Sequence, residues 1–278
     1  MRHPRWITVL LTLAAALTAL TVFIPLWWVF VSSLRPGNSF VEHVTPLSWL
    51  AFVPSGGDFS NYEVLLSGPF VRGLLNSLLV SGLTIVFGLA VAVPAAYVLA
   101  TMSFPGQRLV FSFIVVVAMI PFDTIAIPLS ALFQTWGLSD TYTGLVLPAL
   151  ANGFAIFVLR QFFMGIPQEL VDAAEVDGLG RFGTLWRIFL PLSRPALIGA
   201  GMMLFLSQWQ AYLWPLLIGT SPERQLAPIA LANLSTMFSV DLGQILAGAF
   251  VLSVIPMLLL LMFQRQYTAS LSTTGMKG

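Results

Sequence analysis

Hydrophobic residues in this chain neither alternate with polar ones nor recur at helical spacing; they run on in blocks of about 20, the length of helix that crosses a hydrocarbon core of roughly 30 Å. Six blocks stand out, at residues 6–34, 71–100, 109–133, 142–163, 195–218 and 243–263, and each is expected to be a membrane span. Arg2 and Arg5 precede the first block and Ala14-Ala15-Ala16 interrupts it, as in a secretory signal. Its apolar character continues to Phe30 and Val31, so it is expected to be a membrane anchor. Between the fourth and fifth blocks lies a polar island over residues 164–194, carrying Glu169, Asp172, Glu175, Asp177, Arg181, Arg187 and Arg194. Charge at that density must face water or a water-soluble partner.

Prolines fall within or near most spans, at Pro25, Pro94, Pro121, Pro128, Pro148, Pro215 and Pro256. Each removes a helical hydrogen bond, which is tolerable in a membrane only where neighbours or water take up the freed carbonyl. For most of them curved packing is the simpler expectation. Pro121 and Pro128 flank Asp123, and there a broken helix lining a cavity is expected.

Within the island, Pro167 suits the first turn of a helix, and Glu169 and Asp172 follow where carboxylates favour the positive end of the helix dipole. Leu170, Ala173 and Ala174 are expected to share one narrow face, and Gly178 to end the helix in a left-handed conformation. A second short helix is expected to present Phe182, Leu185, Trp186 and Phe189 on one side, with Pro191 and Pro195 closing it before the fifth span.

Composition agrees with an all-α integral membrane protein: 58% of the 278 residues are hydrophobic and 8% are charged, too few polar groups to cover a soluble fold. A net charge of +1 argues against nucleic acid as a partner. Lys277 is the single lysine, so a nucleotide-binding loop of the G-x-x-x-x-G-K-[ST] type has no candidate, and any ATP that drives this protein binds another subunit. Cysteine is absent and histidine occurs at His3 and His43 alone, which removes thiolate chemistry, His/Cys metal sites and the usual histidine base. An enzyme is not expected. An N-terminus in the cytoplasm puts Arg2, Arg5, Arg108, Arg160, Arg181, Arg187, Arg194, Arg265 and Lys277 inside and leaves Arg35, Arg72 and Arg224 outside. The positive-inside bias therefore places both termini and the island in the cytoplasm.

Asp172-Ala173-Ala174, three residues, Gly178, nine residues, Ile188, one residue and Leu190-Pro191 resembles the EAA motif of bacterial ABC-importer permeases, with Asp in place of the usual Glu at 172. Further segments, among them Asn76-Ser77-Leu78, Met119-Ile120-Pro121, Leu147-Pro148 and Leu213-Trp214-Pro215-Leu216, look like the smaller permease subunit of carbohydrate importers of the maltose type. The resemblance implies a type I importer fold, one permease domain over residues 1–278, in an inner membrane. It implies as partners a homologous permease, two ATP-binding subunits that hold ATP and Mg, an extracytoplasmic solute-binding protein and membrane lipid, and no cofactor on this chain. It also implies that the island forms a coupling helix docking on the ATPase, with Glu169, Asp172, Ala173, Ala174, Asp177, Gly178, Leu190 and Pro191 involved. The ending Thr274-Gly275-Met276-Lys277-Gly278 is similar to a tail that reaches the ATPase dimer in that family; a plain chain end is the other reading.

For the translocation path the candidates are Asp123, Asn152, Gln208, Trp209, Gln210 and Tyr212. A carboxylate in a span costs a few kcal/mol unless hydrated or paired, and amides beside aromatic rings suit the hydroxyls and apolar faces of a sugar. Hydrogen bonding between helices is the other reading for Asn152, Gln208 and Gln210. Trp27, Trp28, Trp136 and Trp214 are expected in the interfacial aromatic belts. The function expected is import of a sugar or related polyol. A channel or secondary transporter that needs no nucleotide is the alternative.

Overall fold

A computed structural model describes residues 5–37, 48–54, 58–235 and 241–275, with side chains as far as residue 266. His3, His43 and the last three residues lie outside the described set. The described residues are helical, in the order α1 Arg5–Ser33, α2 Ser60–Ser67, α3 Pro69–Thr101, α4 Gln107–Ala118, α5 Phe122–Thr135, α6 Tyr142–Val146, α7 Gly153–Phe163, α8 Gln168–Val176, α9 Arg181–Thr184, α10 Leu190–Leu192, α11 Arg194–Trp209, α12 Leu213–Ile218, α13 Ala227–Ala232 and α14 Leu242–Gly275. A π-helical turn, Leu185–Phe189, joins α9 to α10.

Three stretches, Trp6–Ser33, Pro69–Thr101 and Leu242–Gln266, are long and apolar enough to cross a membrane as unbroken helices. Three further apolar lengths are bent pairs: α4 with α5 at 92°, residues 142–149 with α7 at 47°, and residues 181–192 with α11 at 82°. Proline chemistry accounts for the sharpest bend. A proline disfavours the helical region for the residue before it, here Ile120; the end of α4 closes with i to i−3 bonds from Met119 N to Val116 O and Ile120 N to Val117 O, both 3.1 Å, and Pro121 is extended at ψ 124°. Pro128, by contrast, stays inside α5, so the break falls at Pro121 alone.

The span expected over residues 195–218 is not one helix. A proline ring in a helix collides with the carbonyl four residues earlier, and Pro215 lies four residues after Ala211; α11 stops at Trp209 and α12 starts at Leu213. Pro195 stands in the same relation to Pro191, and the 82° bend lies between them at Ser193.

Packing divides the chain into two compact units, residues 1–71 with 230–255, and residues 72–229 with 256–278. In the first, Arg35 is buried at the end of α1, and its guanidinium donates to Leu50 O and to Val53 O. Asn61 Nδ2 ties the same turn by donating to Ser33 O at 2.8 Å and Arg35 O at 2.7 Å.

Two apolar clusters hold the second unit. One joins Ala92, Ala96 and Tyr97 of α3 to Leu159 and Phe163 of α7, Phe189 of the π turn, and Ala196, Ala200 and Leu204 of α11. The alanines let these helices approach closely, as does Gly153: a Cβ there would lie 2.7 Å from Ala118 Cβ. The other cluster is built on Trp214, whose ring meets Phe133 edge-on at 5.1 Å and whose Nε1 donates to Gly144 O at 3.1 Å. Trp214 is 5% exposed, a core residue and not the belt residue expected; Trp136 is 58% exposed.

Candidate functional site

Two features of the second unit carry the residues singled out in the sequence: the polar loop between α7 and α11, and a cavity beside the helix breaks.

The loop opens on Pro167 at the N-cap of α8, with Glu169 in the first turn. Asp172 accepts from Gln168 Nε2 at 3.1 Å, one turn back on the same exposed face. Asp177 caps the helix, and Gly178 follows at φ +78°. Gly178 N donates to Glu175 O at 3.0 Å and Leu179 N to Ala174 O at 2.9 Å, the paired bonds of a Schellman stop that a residue with a Cβ would strain. Glu169, Asp172, Ala173, Asp177 and Gly178 are exposed, and Val176 is 88% exposed.

Ala174 departs from the expected shared face. It is 3% exposed and turned to the protein's own interior, on the side where Val171 packs on the first cluster, while Leu170 and Ala173 face out. The stripe from 170 to 174 is therefore divided between an outer and an inner face. A second division follows: Phe182 and Trp186 are exposed and meet at 5.9 Å, whereas Leu185 and Phe189, expected on the same side, are buried. Spacing of four residues joins each pair, and three residues separate the pairs. Leu190 packs against the first cluster and Pro191 is exposed in the turn before the 82° bend.

The cavity encloses about 950 Å³ and is lined by Asp123, Asn152, Gln208, Gln210, Tyr212 and Trp214 together with apolar side chains of α4, α5 and α7. Helix breaks put these groups there. Asp123 stands in the first turn of α5, just past Pro121. Asn152 sits at the N-cap of α7, where its Oδ1 accepts from Ala155 N at 3.0 Å, so part of its polarity serves the helix end. Gln208 is 5% exposed, and its Nε2 has no partner among the described residues, an amide held ready for a hydrogen bond. Gln210 and Tyr212 lie in the break after α11, not on successive helical turns as expected. Trp209 is not on the cavity wall: it is 4% exposed and stacks on Phe205 at 5.4 Å. Asp123 is the one charged side chain among the described lining residues.

Residues that sequence reasoning did not reach form a polar knot in the same unit. Asn76 Nδ2 donates to Glu223 O and Gln225 O, both at 2.9 Å, and Asn76 Oδ1 accepts from Tyr142 Oη at 2.8 Å. Arg224 lies 4.4 Å over the Tyr142 ring, and Asp140 Oδ1 accepts from Ser221 N at 2.9 Å. Asn76 lies in a segment singled out by resemblance; nothing in apolar periodicity marks its partners.

Residues 85–269 match the family of binding-protein-dependent transport system inner membrane components. The chain belongs to this family. This permease is similar to the arabinooligosaccharides transport system permease protein AraQ of Halalkalibacterium halodurans, 32% identical with 97% of this chain and 96% of that one covered. It is also similar to the trehalose transport system permease protein SugB of Mycobacterium tuberculosis, 32% identical with 92% of each chain covered. Its fold matches a chain from the crystal structure of a bacterial ABC transporter involved in the import of the acidic polysaccharide alginate, with a TM-score of 0.76 at 23% identity over 96% of this chain and 98% of that chain. It is thus a multi-pass permease subunit of an ABC importer with the all-α fold expected.

Proposed function

We propose that this permease forms, with a homologous permease, the path for a neutral, hydroxyl-rich solute, a sugar or polyol, and that its polar loop is the docking element for an ATPase. The cavity carries the solute half of the reading. Its amides, phenol and indole can hydrogen-bond hydroxyls and stack on apolar ring faces, and the single acid Asp123, with no Lys or Arg among the described lining residues, repels anions. Relatives that carry arabinooligosaccharides and trehalose agree with that chemistry.

The loop carries the energy half. Exposed Glu169, Asp172, Ala173, Val176 and Asp177 make a small, acidic face on a helix stopped sharply by Gly178, suited to a groove in another protein. In this reading the loop and both termini are cytoplasmic, ATP and Mg bind to two partner subunits, and an extracytoplasmic binding protein delivers the solute. ATP binding then biases the spans between outward-open and inward-open arrangements.

The test is co-expression with its partner subunits, purification and reconstitution. Gly178→Pro fixes φ near −65° and removes the bond to Glu175 O, so the chain is expected to enter the membrane normally while ATPase association or ATP-driven uptake falls at least ten-fold. Unchanged association and uptake would remove the docking role. Solute flux through this chain alone in liposomes, with no nucleotide, would replace it with a channel.

A further inference from the structure

The first backbone carbonyl of α9, three residues after Gly178, is held by a side chain from another element: Tyr97 of α3 donates its hydroxyl to Arg181 O at 3.1 Å. That carbonyl also accepts from Leu185 N, so both its lone pairs are used. Arg181 Nη1 in turn reaches Met102 Sδ at 3.8 Å. The Tyr97 ring is 6% exposed and set edge-on against Phe189 of the π turn at 4.9 Å and Phe163 of α7 at 6.5 Å; Phe163 and Phe189 meet at 5.4 Å.

The end of α3 is tied onward as well. Two residues past Tyr97, Leu99 O accepts from Arg160 Nε of α7 at 2.9 Å and from Gln107 Nε2 of α4 at 2.8 Å, and the Arg160 guanidinium lies 4.0 Å over the Phe111 ring of α4. The same α4 and α7 supply Ile114, Val117, Gly153 and Ile156 to the cavity wall. An unbroken run of bonds and ring contacts therefore leads from Arg181, three residues after the Gly178 stop, through Tyr97, to the helices around the cavity.

The two kinds of contact in that run differ mechanically. Ring contacts spread their attraction over many weak atom pairs with no single direction, whereas a hydrogen bond ties one hydroxyl to one carbonyl and weakens within a fraction of an ångström. We propose that the Tyr97 hydroxyl is a positioning group for coupling: it lets the loop pull on α3, and through Leu99 O on α4 and α7, when the ATPase moves. This rests on the docking reading of the loop. Tyr97 touches neither solute nor nucleotide in this assignment, and acts through Arg181 O.

The chain has no cysteine, so a single one can report on the cavity without background. Ser207→Cys places a thiol on its wall. In the assembled importer, with cysteine-free partners in lipid nanodiscs, the labelling rate of that thiol by a small methanethiosulfonate is measured without nucleotide and after trapping with ATP and vanadate. Expected is a nucleotide-dependent change in rate with Tyr97 present. Tyr97→Phe, which keeps the ring contacts, is expected to reduce that change at least five-fold while ATP hydrolysis and complex yield stay within two-fold. Tyr97→Leu, which also opens the aromatic cluster, is expected to lower thermal stability. A Tyr97→Phe importer with the full labelling change overturns the proposal, as does one destabilised as far as Tyr97→Leu, since the hydroxyl would then be structural. A chain with Tyr97 intact that fails to retain the ATPase overturns the docking reading, and the coupling role falls with it.

Discussion

Asp140 is held at φ +58°, a left-handed conformation that Asp tolerates better than most residues because its short side chain bonds locally. Here the carboxylate fastens the segment around Ser221, and its hydrogen bonds from Ser221, with a smaller attraction from Arg224, hold its carboxyl below the ordinary 3.8. Since the folded value is the lowered one, the fastening is complete above pH 3.8 and is lost as the pH falls through the folded value. The protection of the Ser221 amide, the slowing of its exchange relative to that of an unprotected amide at the same pH, should therefore be high at neutral pH and fall in acid below that window. Asp140→Asn, an amide that tolerates the same backbone, should lower protection at neutral pH by roughly a few-fold and abolish the acid dependence. Protection that still falls in acid in Asp140→Asn would assign the effect to another group. Residue-scale chemistry of this kind was not legible in the sequence: Asp140, Tyr142 and Arg224 are unremarkable until the fold brings them together. Tyr97 was hidden for the same reason, as one aromatic among many in an apolar run.

Elements were more legible than contacts, because length and apolarity alone decide what can cross a membrane. Trp6–Ser33, Pro69–Thr101 and the start of Leu242–Gly275 follow the expected spans closely. The break at Pro121 was also expected, and the stop at Gly178 follows from its permissive backbone. What pattern did not reveal is where a proline acts. Pro215 breaks the chain four residues earlier, so Gln210 and Tyr212 looked helical although the ring that ends the helix was in view. Indole chemistry misled at Trp214, whose N–H satisfies a core carbonyl, not an interfacial one. Gly153 offers a test of the bent pairs as packed elements. A side chain there must displace Ala118 Cβ at 2.7 Å and Ile114 O at 3.0 Å, so Gly153→Val should destabilise the α4–α7 contact by about 2–3 kcal/mol and lower the unfolding temperature in detergent. An unchanged unfolding temperature would show that the helices part without cost.

At the scale of the molecule, the apolar lengths are interrupted at residues 119–121, 150–152, 193 and 210–212, and all of these but the one at Ser193 lie at the cavity, which takes lining residues from each of the other three neighbourhoods. Interrupted backbone leaves peptide groups that hydrocarbon cannot satisfy, so it persists at membrane depth only against protein or water. A cavity of about 950 Å³ has the volume of roughly thirty water molecules in the liquid. Under the alternating arrangements proposed above, a water-filled cavity that changes volume takes up or releases part of that water in every cycle. The proposed equilibrium would then depend on water activity, separately from nucleotide and solute. A polymer osmolyte too large to enter should favour the arrangement with the smaller cavity and slow turnover in proportion to osmotic pressure, while an osmolyte small enough to enter should not. Equal responses to the two would mean that the cavity keeps its volume through the cycle. Macromolecules too large to enter the cavity would thus act on this permease directly, as a physical brake on uptake.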